Sequence, residues 1–473
     1  MNGLSCVSFA GCHVSLELLE RLAYPREELS ERLATLRTKS NARAVAVLST
    51  CQRTEVYATW TGEPDDAALL AALACDRGIL PAELDSVVRI YRGDAAAHHL
   101  LRVACGLESF VLGENQIAGQ VRAAADVSRA TSGCDDVVLQ RLMDAAISAS
   151  RKRQRRTSIA ATSRSVASVA VDAVVAATGA ITGRQLLVVG AGDVAAVVVE
   201  RAVELGAVVT VCNRTRRHAD RFAAAGVRVI DLAGLTDCLA TADIAILATA
   251  APHPLIDRRR LTSARPAGAG SLVLVDLSLP RNVDPAVRAM SSVRLIDLAD
   301  LRAAGAGDAA HLADDVAVVE QIIETELRRY IQWLTSRSAA ADLRRMRGDA
   351  EDAAREEIAR IATGLPVEVR ALMESALLRM VHRLVHGPTR ELLAAAKAGD
   401  THLVNVLAGL YAAMPSTSSP LGPAADKHVS PGDDPHATTG RSGLPFDVQR
   451  PQSCTTEKTA YERGVHSAHK VAM

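Results

Sequence analysis

Hydrophobic positions along the chain follow three rhythms. From Ser168 to about Asp300, the apolar runs Leu186-Leu187-Val188-Val189, 208–211, 244–247 and 272–275 alternate with helix-length polar segments. Uninterrupted runs of this length suit strands buried on both faces, and their repetition with helices between predicts a doubly wound, parallel Rossmann-type sheet. Residues 1 to about 150 mix short apolar runs with amphipathic stretches. There Ala44-Val45-Ala46-Val47-Leu48 stops at Ser49-Thr50-Cys51-Gln52-Arg53 and gives way to the alternating TEVYATW, so an α+β domain is predicted whose strand ends in a polar turn. Further on, Val319, Ile322, Ile323, Leu327, Tyr330, Ile331 and Leu334 recur at three- and four-residue steps and mark one stripe of a long amphipathic helix. Helical periodicity continues through Asp342 to Ala413, which predicts an all-helical terminal domain, with an exposed apolar stripe buried against a second copy. From about Pro415 the composition turns to Pro, Ser, Thr, Gly and Asp, and disorder is expected. The expected divisions are therefore 1–155, 156–308, 309–414 and a tail at 415–473.

Composition narrows the picture. A chain of 473 residues has room for about three domains. The 54 basic and 54 acidic side chains cancel, so a nucleic-acid or membrane surface would have to be a local patch. Aromatics at 3% argue against an aromatic-rich β-sandwich. Cysteines 6, 12, 51, 75, 105, 134, 212, 238 and 454 form no CxxC pair, which excludes a zinc ribbon and predicts no bound metal. No basic start with an apolar core opens the chain, and no apolar stretch reaches about 18 residues, so a cytoplasmic protein is expected.

Two sites carry chemistry. The sequence Val188-Val189-Gly190-Ala191-Gly192-Asp193-Val194-Ala195 sets a glycine turn between a buried strand and a helix. There backbone can approach a pyrophosphate, and helix N–H groups await an anion. The second strand ends in Asn213-Arg214-Thr215. A guanidinium and a hydroxyl there suit a ribose 2′-phosphate, where an acidic residue would select NADH, so NADPH is favoured. The other site is Ser49-Thr50-Cys51-Gln52-Arg53-Thr54-Glu55, a thiol in a turn with a guanidinium two residues away, a neighbour that favours the nucleophilic thiolate.

STCQRTEVYA resembles the STCNRTE motif of glutamyl-tRNA reductases, and Gly106-Leu107-Glu108-Ser109-Phe110-Val111-Leu112-Gly113-Glu114-Asn115-Gln116-Ile117 resembles their GLDSxxLGExQI block. His98-His99-Leu100-Leu101-Arg102-Val103-Ala104, the NRT at 213–215, DLSLPRNVDP at 276–285, the helix ending near Trp333 and His386-Gly387-Pro388-Thr389 follow the same family order, so the resemblance covers residues 1 to 413. Three positions depart from it. Gln52 replaces asparagine, His13-Val14-Ser15-Leu16-Glu17 replaces HKTAP without its proline, and Asn115 stands where many members have proline.

The resemblance implies an N-terminal catalytic domain that recognises the glutamyl group, an NADPH-binding domain, and a spinal helix leading into a helical dimerisation domain. It implies that Cys51 attacks the glutamyl ester of tRNA, giving an enzyme thioester that hydride from NADPH reduces to glutamate 1-semialdehyde, at the entry to tetrapyrrole biosynthesis by the C5 route. A thioester accepts hydride where a carboxylate would not. By position, His99 would orient the ester or handle a proton. Arg53 would grip a glutamyl carboxylate through a bidentate fork, with Thr50, Gln52, Ser109, Glu114, Asn115, Gln116 and Gln120 around it. Gly190, Ala191, Gly192, Asp193, Val194, Ala195, Asn213, Arg214 and Thr215 would hold the cofactor. Since thiol and glycine turn lie in separate domains, a hinge or the long helix is expected to bring them together.

Implied partners are charged tRNA, a second subunit through the terminal helices, and glutamate-1-semialdehyde aminomutase, which would take the aldehyde onward. The runs Arg151-Lys152-Arg153-Gln154-Arg155-Arg156 and Arg258-Arg259-Arg260 are candidate phosphate contacts or ordinary solvated faces. Two rival readings stand beside this one. One is an NADP-dependent oxidoreductase of a small carbonyl compound, like shikimate dehydrogenase; the other is a non-catalytic nucleotide-binding regulator.

Overall fold

The computed structural model describes residues 3–412 apart from 12, 26, 110, 115, 132, 135, 158–164, 266–269 and 305–312. The tail from Pro415 and Asn115 therefore lie outside the described residues. Strands β1 (Leu4–Ala10), β2 (Ala44–Ser49), β3 (Arg53–Thr59) and β4 (Arg89–Arg92) pair antiparallel in the order β2-β3-β1-β4. Val7, Phe9, Val45, Val47, Val56 and Ala58 point to one face. They pack on α1 (Leu16–Leu22), α2 (Leu29–Lys39), α3 (Asp66–Arg77) and α4 (Pro81–Asp85). Leu4, Cys6, Ala44, Ala46, Leu48 and Tyr57 point to the other face, under α5 (Asp94–Ala104), α6 (Gln116–Ala130) and α7 (Val137–Arg156).

The alternation in TEVYATW therefore does not mark a wet face. Helices cover both sides of the sheet and all seven residues of β3 are buried, so its polar side chains find partners inside the protein. Glu17 stands where the family motif has its proline, and Ser15 starts α1: its hydroxyl accepts from Leu18 N–H at 3.2 Å, an ordinary N-cap.

The second layer system follows α8 (Val166–Thr178). Its strands are β5 (Gln185–Val189), β6 (Val208–Asn213), β7 (Arg228–Asp231), β8 (Ile244–Leu247), β9 (Leu272–Asp276) and β10 (Val293–Asp297). All pair parallel, in the order β7-β6-β5-β8-β9-β10. The helices between them are α9 (Asp193–Glu204), α10 (Arg216–Ala219), α11 (Leu235–Thr241) and α12 (Arg258–Ala264), and α13 (Leu298–Ala304) follows the last strand. Strand order reverses between β5 and β8, and such a switch point opens a crevice beyond the carboxyl ends of the strands. The two edge strands, RVID and VRLID, were not among the apolar runs because charged residues interrupt them.

Helix α14 (Ala313–Ile361) runs roughly 70 Å at the usual helical rise and leads to α15 (Val367–Ala398) and α16 (Thr401–Ala412). Its predicted apolar stripe, Val319 to Leu334, is present. It packs into the core of the first domain against α5 and α7, flanked by Arg102–Glu320 and Lys152–Glu326 ion pairs.

The first two domains dock directly. Leu16 and Val111 enter the apolar cluster of the parallel sheet. Beside them Arg281 spans the junction: its Nη2 and Nε donate to Glu20 at 2.7 and 2.9 Å, its backbone N–H to the same carboxylate at 2.6 Å, and its Nη1 to Glu17 at 3.1 Å. A charged hydrogen bond contributes about 1.5–3 kcal/mol, and Arg281 and Glu20 are mostly shielded from water. Arg281→Ala should therefore weaken docking by about 2 kcal/mol, read as faster amide exchange in α1 and in residues 277–283. Unchanged protection would show that apolar contact alone holds the junction.

Candidate active site

Cys51 lies in the turn joining β2 to β3. Thr50 N–H donates to Arg53 O at 2.9 Å and Gln52 N–H to Thr50 Oγ1 at 3.1 Å, so the thiol projects from a closed, rigid turn. Arg302 of α13 reaches across from the other domain and donates to Cys51 O at 3.2 Å. The thiolate expected from the nearby guanidinium is not the favoured state. Burial and the Glu114 charge push the Cys51 thiol up to about 12, outweighing the opposite pull of Arg302 and Arg53.

Arg53 is already engaged. Its Nη1 donates to Glu55 Oε1 at 3.0 Å and its Nη2 to Glu108 O, leaving Nε as the guanidinium nitrogen without a hydrogen bond. The predicted bidentate fork is thus turned inward, toward protein. Glu55 also accepts from Ser8 Oγ at 3.0 Å and Tyr57 OH at 2.7 Å, and pairs with His99 Nε2 at 2.8 Å. Burial opposes its ionisation, yet Arg53 and His99 hold its carboxyl well below the usual range. His99, stacked on Tyr91 with ring centroids 4.1 Å apart, serves this buried network and is not among the residues lining the cavity beside Cys51.

The loop that carries Ser109 and Glu114 lies beside the thiol turn. Gly113 N–H donates to Gly106 O at 3.0 Å, and a Cβ on Gly106 would stand 2.9 Å from Glu114 N, so only glycine lets the loop close. Arg153, fully buried, donates from Nη1 to Gly113 O at 2.6 Å. The basic run containing it is therefore divided: Arg153 and Lys152 face inward to protein partners, while Arg151, Arg155 and Arg156 are exposed. The loop brings Glu114 Oε2 to 3.1 Å from Gln52 Nε2; the longer amide at position 52 reaches it directly.

A cavity of about 550 Å³ joins the two chemistries. Thr50, Cys51, Gln52, Arg53, Ser109, Glu114, Gln116 and Gln120 line one side, and Gly190, Ala191, Gly192, Asp193, Val194 and Asn213 the other. No hinge motion is needed to bring thiol and glycine turn to one space. Gly190 has φ 120°, and a Cβ there would lie 2.2 Å from Ala248 O, so β5 and β8 can meet only at glycine. A Cβ on Gly192 would meet nothing, and α9 starts from it without a side-chain cap, leaving its first amides open to an anion. Ala195 is buried beneath the turn, and Arg214 and Thr215 lie outside the lining, with Arg214 exposed at the end of β6.

Sequence reasoning missed His218, Ala248, Thr249 and Ser278, which also line the cavity, and Arg302. Thr249 and Ser278 follow the ends of β8 and β9, a placement that the switch-point rule would have flagged. Asp276 fixes their loop by accepting from the N–H groups of Ser278, Asn282 and Val283 at 3.0, 2.7 and 2.8 Å; burial pushes its carboxyl up to about 6 against these bonds.

Comparisons with known proteins agree with this division. Residues 7–157 match the family described as glutamyl-tRNAGlu reductase, N-terminal domain; 172–304 match shikimate / quinate 5-dehydrogenase; and 318–413 match the glutamyl-tRNAGlu reductase dimerisation domain. The chain is 44% identical to glutamyl-tRNA reductase 2 of Nocardioides sp. over 87% of its length and 93% of that protein. It is 33% identical to the glutamyl-tRNA reductase of Rubrobacter xylanophilus over 81% and 90%, and 35% identical to that of Salinispora tropica over 85% and 90%. With the thiol turn, the glycine turn and the terminal helices each in a matching segment, the chain belongs to the glutamyl-tRNA reductase family.

Proposed function

We propose that this protein reduces the glutamyl group of charged tRNA to glutamate 1-semialdehyde, with NADPH as reductant and Cys51 as the acyl carrier. One observation carries this reading: a nucleophilic residue and a dinucleotide-binding turn line the same cavity. The Cys51 sulfur displaces the ribose oxygen from the ester and retains the glutamyl group as a thioester. Ser109, Gln116 and Gln120 offer hydrogen bonds to the glutamyl amino and carboxylate groups, and the closed turn at Thr50 and Gln52 limits where the sulfur can go.

The nucleotide end fits a dinucleotide. Open amides at the start of α9 suit a pyrophosphate, and residues 213–218 contain three arginines and a histidine but no acid, which suits a 2′-phosphate. NADPH bound there supplies the hydride. A small-carbonyl oxidoreductase would account for 172–304 but leaves the thiol domain and the terminal helices without a role. All seven described cysteines are free, in keeping with a reducing cytoplasm. Among the described residues no helix is long and apolar enough to cross a membrane.

The terminal helices leave an apolar surface. Val367, Leu372, Met380 and Leu384 of α15 are 58–74% exposed, as expected of a face covered by a second copy.

Three outcomes test these readings. Cys51→Ser should abolish both semialdehyde production and the glutamyl adduct that mass spectrometry detects on the wild-type protein without reductant; turnover near wild type would remove the thioester route. Arg214→Asp should raise KM for NADPH by about 10–100-fold, the effect of one charged hydrogen bond, and leave KM for NADH nearly unchanged; equal effects would remove the 2′-phosphate assignment. Leu372→Glu should shift the protein from dimer to monomer in sedimentation velocity, and an unaltered dimer would place the interface elsewhere.

A further inference from the structure

Acyl transfer from an ester to Cys51 leaves one proton to account for. The thiol is protonated at neutral pH, and the departing ribose oxygen needs a proton. The titratable groups lining the cavity are Cys51, Arg53, Glu114, Asp193 and His218. Arg53 is cationic and held by Glu55, while Asp193 and His218 stand on the nucleotide side, after β5 and β6. His99 is turned into the buried Glu55 network. Among the described residues Glu114 alone is a carboxylate on the thiol's own side of the cavity, and Gln52, the residue next to Cys51, donates to it at 3.1 Å.

We propose that Glu114 is the general base and then the general acid of acyl transfer. Resting on the function proposed above, the step balances without a further reactant. The carboxylate takes the Cys51 S–H proton as the sulfur–carbon bond forms, the ester carbon–oxygen bond breaks, and Glu114 returns the proton to the ribose oxygen of the departing tRNA. Its placement is built in: Gly106 and Gly113 close the loop, Arg153 holds Gly113 O at 2.6 Å, and Gln52 orients the carboxylate. Burial raises the Glu114 pKa, with Gln52 and Arg53 pulling the other way, so the carboxyl titrates above the ordinary carboxylate range. As a base it must be ionised, so acylation should fall as pH drops through that raised value. The charged groups facing the thiol are Glu114, Arg302 and Arg53.

The test is single-turnover acylation of the full-length protein by glutamyl-tRNA without NADPH, followed as tRNA release and as the mass of the protein adduct. Glu114→Gln, which keeps the shape and a partner for Gln52, should acylate about 10²–10⁴-fold more slowly at neutral pH, the usual range for losing a positioned base. Its rate should climb with pH as hydroxide ionises the thiol instead. Glu114→Ala should recover part of the rate with added formate. The proposal is overturned if Glu114→Gln keeps the wild-type rate and pH profile. It is equally overturned if the loss is the same factor at every pH and formate restores nothing, the pattern of a structural role. A wild-type protein that forms no adduct would instead overturn the thioester reading itself.

Discussion

The contact between the thiol domain and the parallel sheet is the constraint on which the remaining arrangement depends. Arg281 grips Glu20 with side chain and backbone, Leu16 and Val111 enter the neighbouring apolar core, and Arg302 holds the carbonyl of Cys51. With that junction made, the end of β2 faces the carboxyl ends of β5, β6, β8 and β9, and the thiol turn and the glycine turn line one cavity. Without it the two turns would open into separate spaces.

Buried polarity on β3 shows how the first domain tolerates charge in its core. Arg53, Glu55, Tyr57 and His99 satisfy one another, so an ion pair sits between two helical layers without a bare charge. The guanidinium also reaches Glu108 O, tying β3 to the loop that carries Ser109 and Glu114. A second buried arginine, Arg153, ties the far end of the same loop. Two charge-assisted bonds to backbone carbonyls thus set the wall beside the thiol.

Helix α14 links this wall to the terminal helices. Glu320 pairs with Arg102, and Arg102 donates from Nε to Glu108 at 2.6 Å, within the loop itself. The same helix buries its apolar stripe against α5 and α7, so the helix leading to the dimerisation surface is also part of the catalytic domain's core. A long helix is stiff enough to serve both ends because its backbone hydrogen bonds are satisfied internally.

Local order determined a great deal. The apolar runs at β5, β6, β8 and β9, the glycine turn, the thiol turn and the long helix were legible because each is written in contiguous residues at a strand or helix period. Edge strands β7 and β10 were not, since strands with charged positions leave no such run. Partner choice was decided only by the tertiary structure: Arg53 turned to Glu55, His99 paired with Glu55, Arg153 drawn inward from a basic run, and Arg302 brought to Cys51 from a distant helix. The physical reason is range. Periodicity reports which face a residue takes within its own element, whereas the state of a thiol or a carboxylate depends on burial and on charges that only folding brings near.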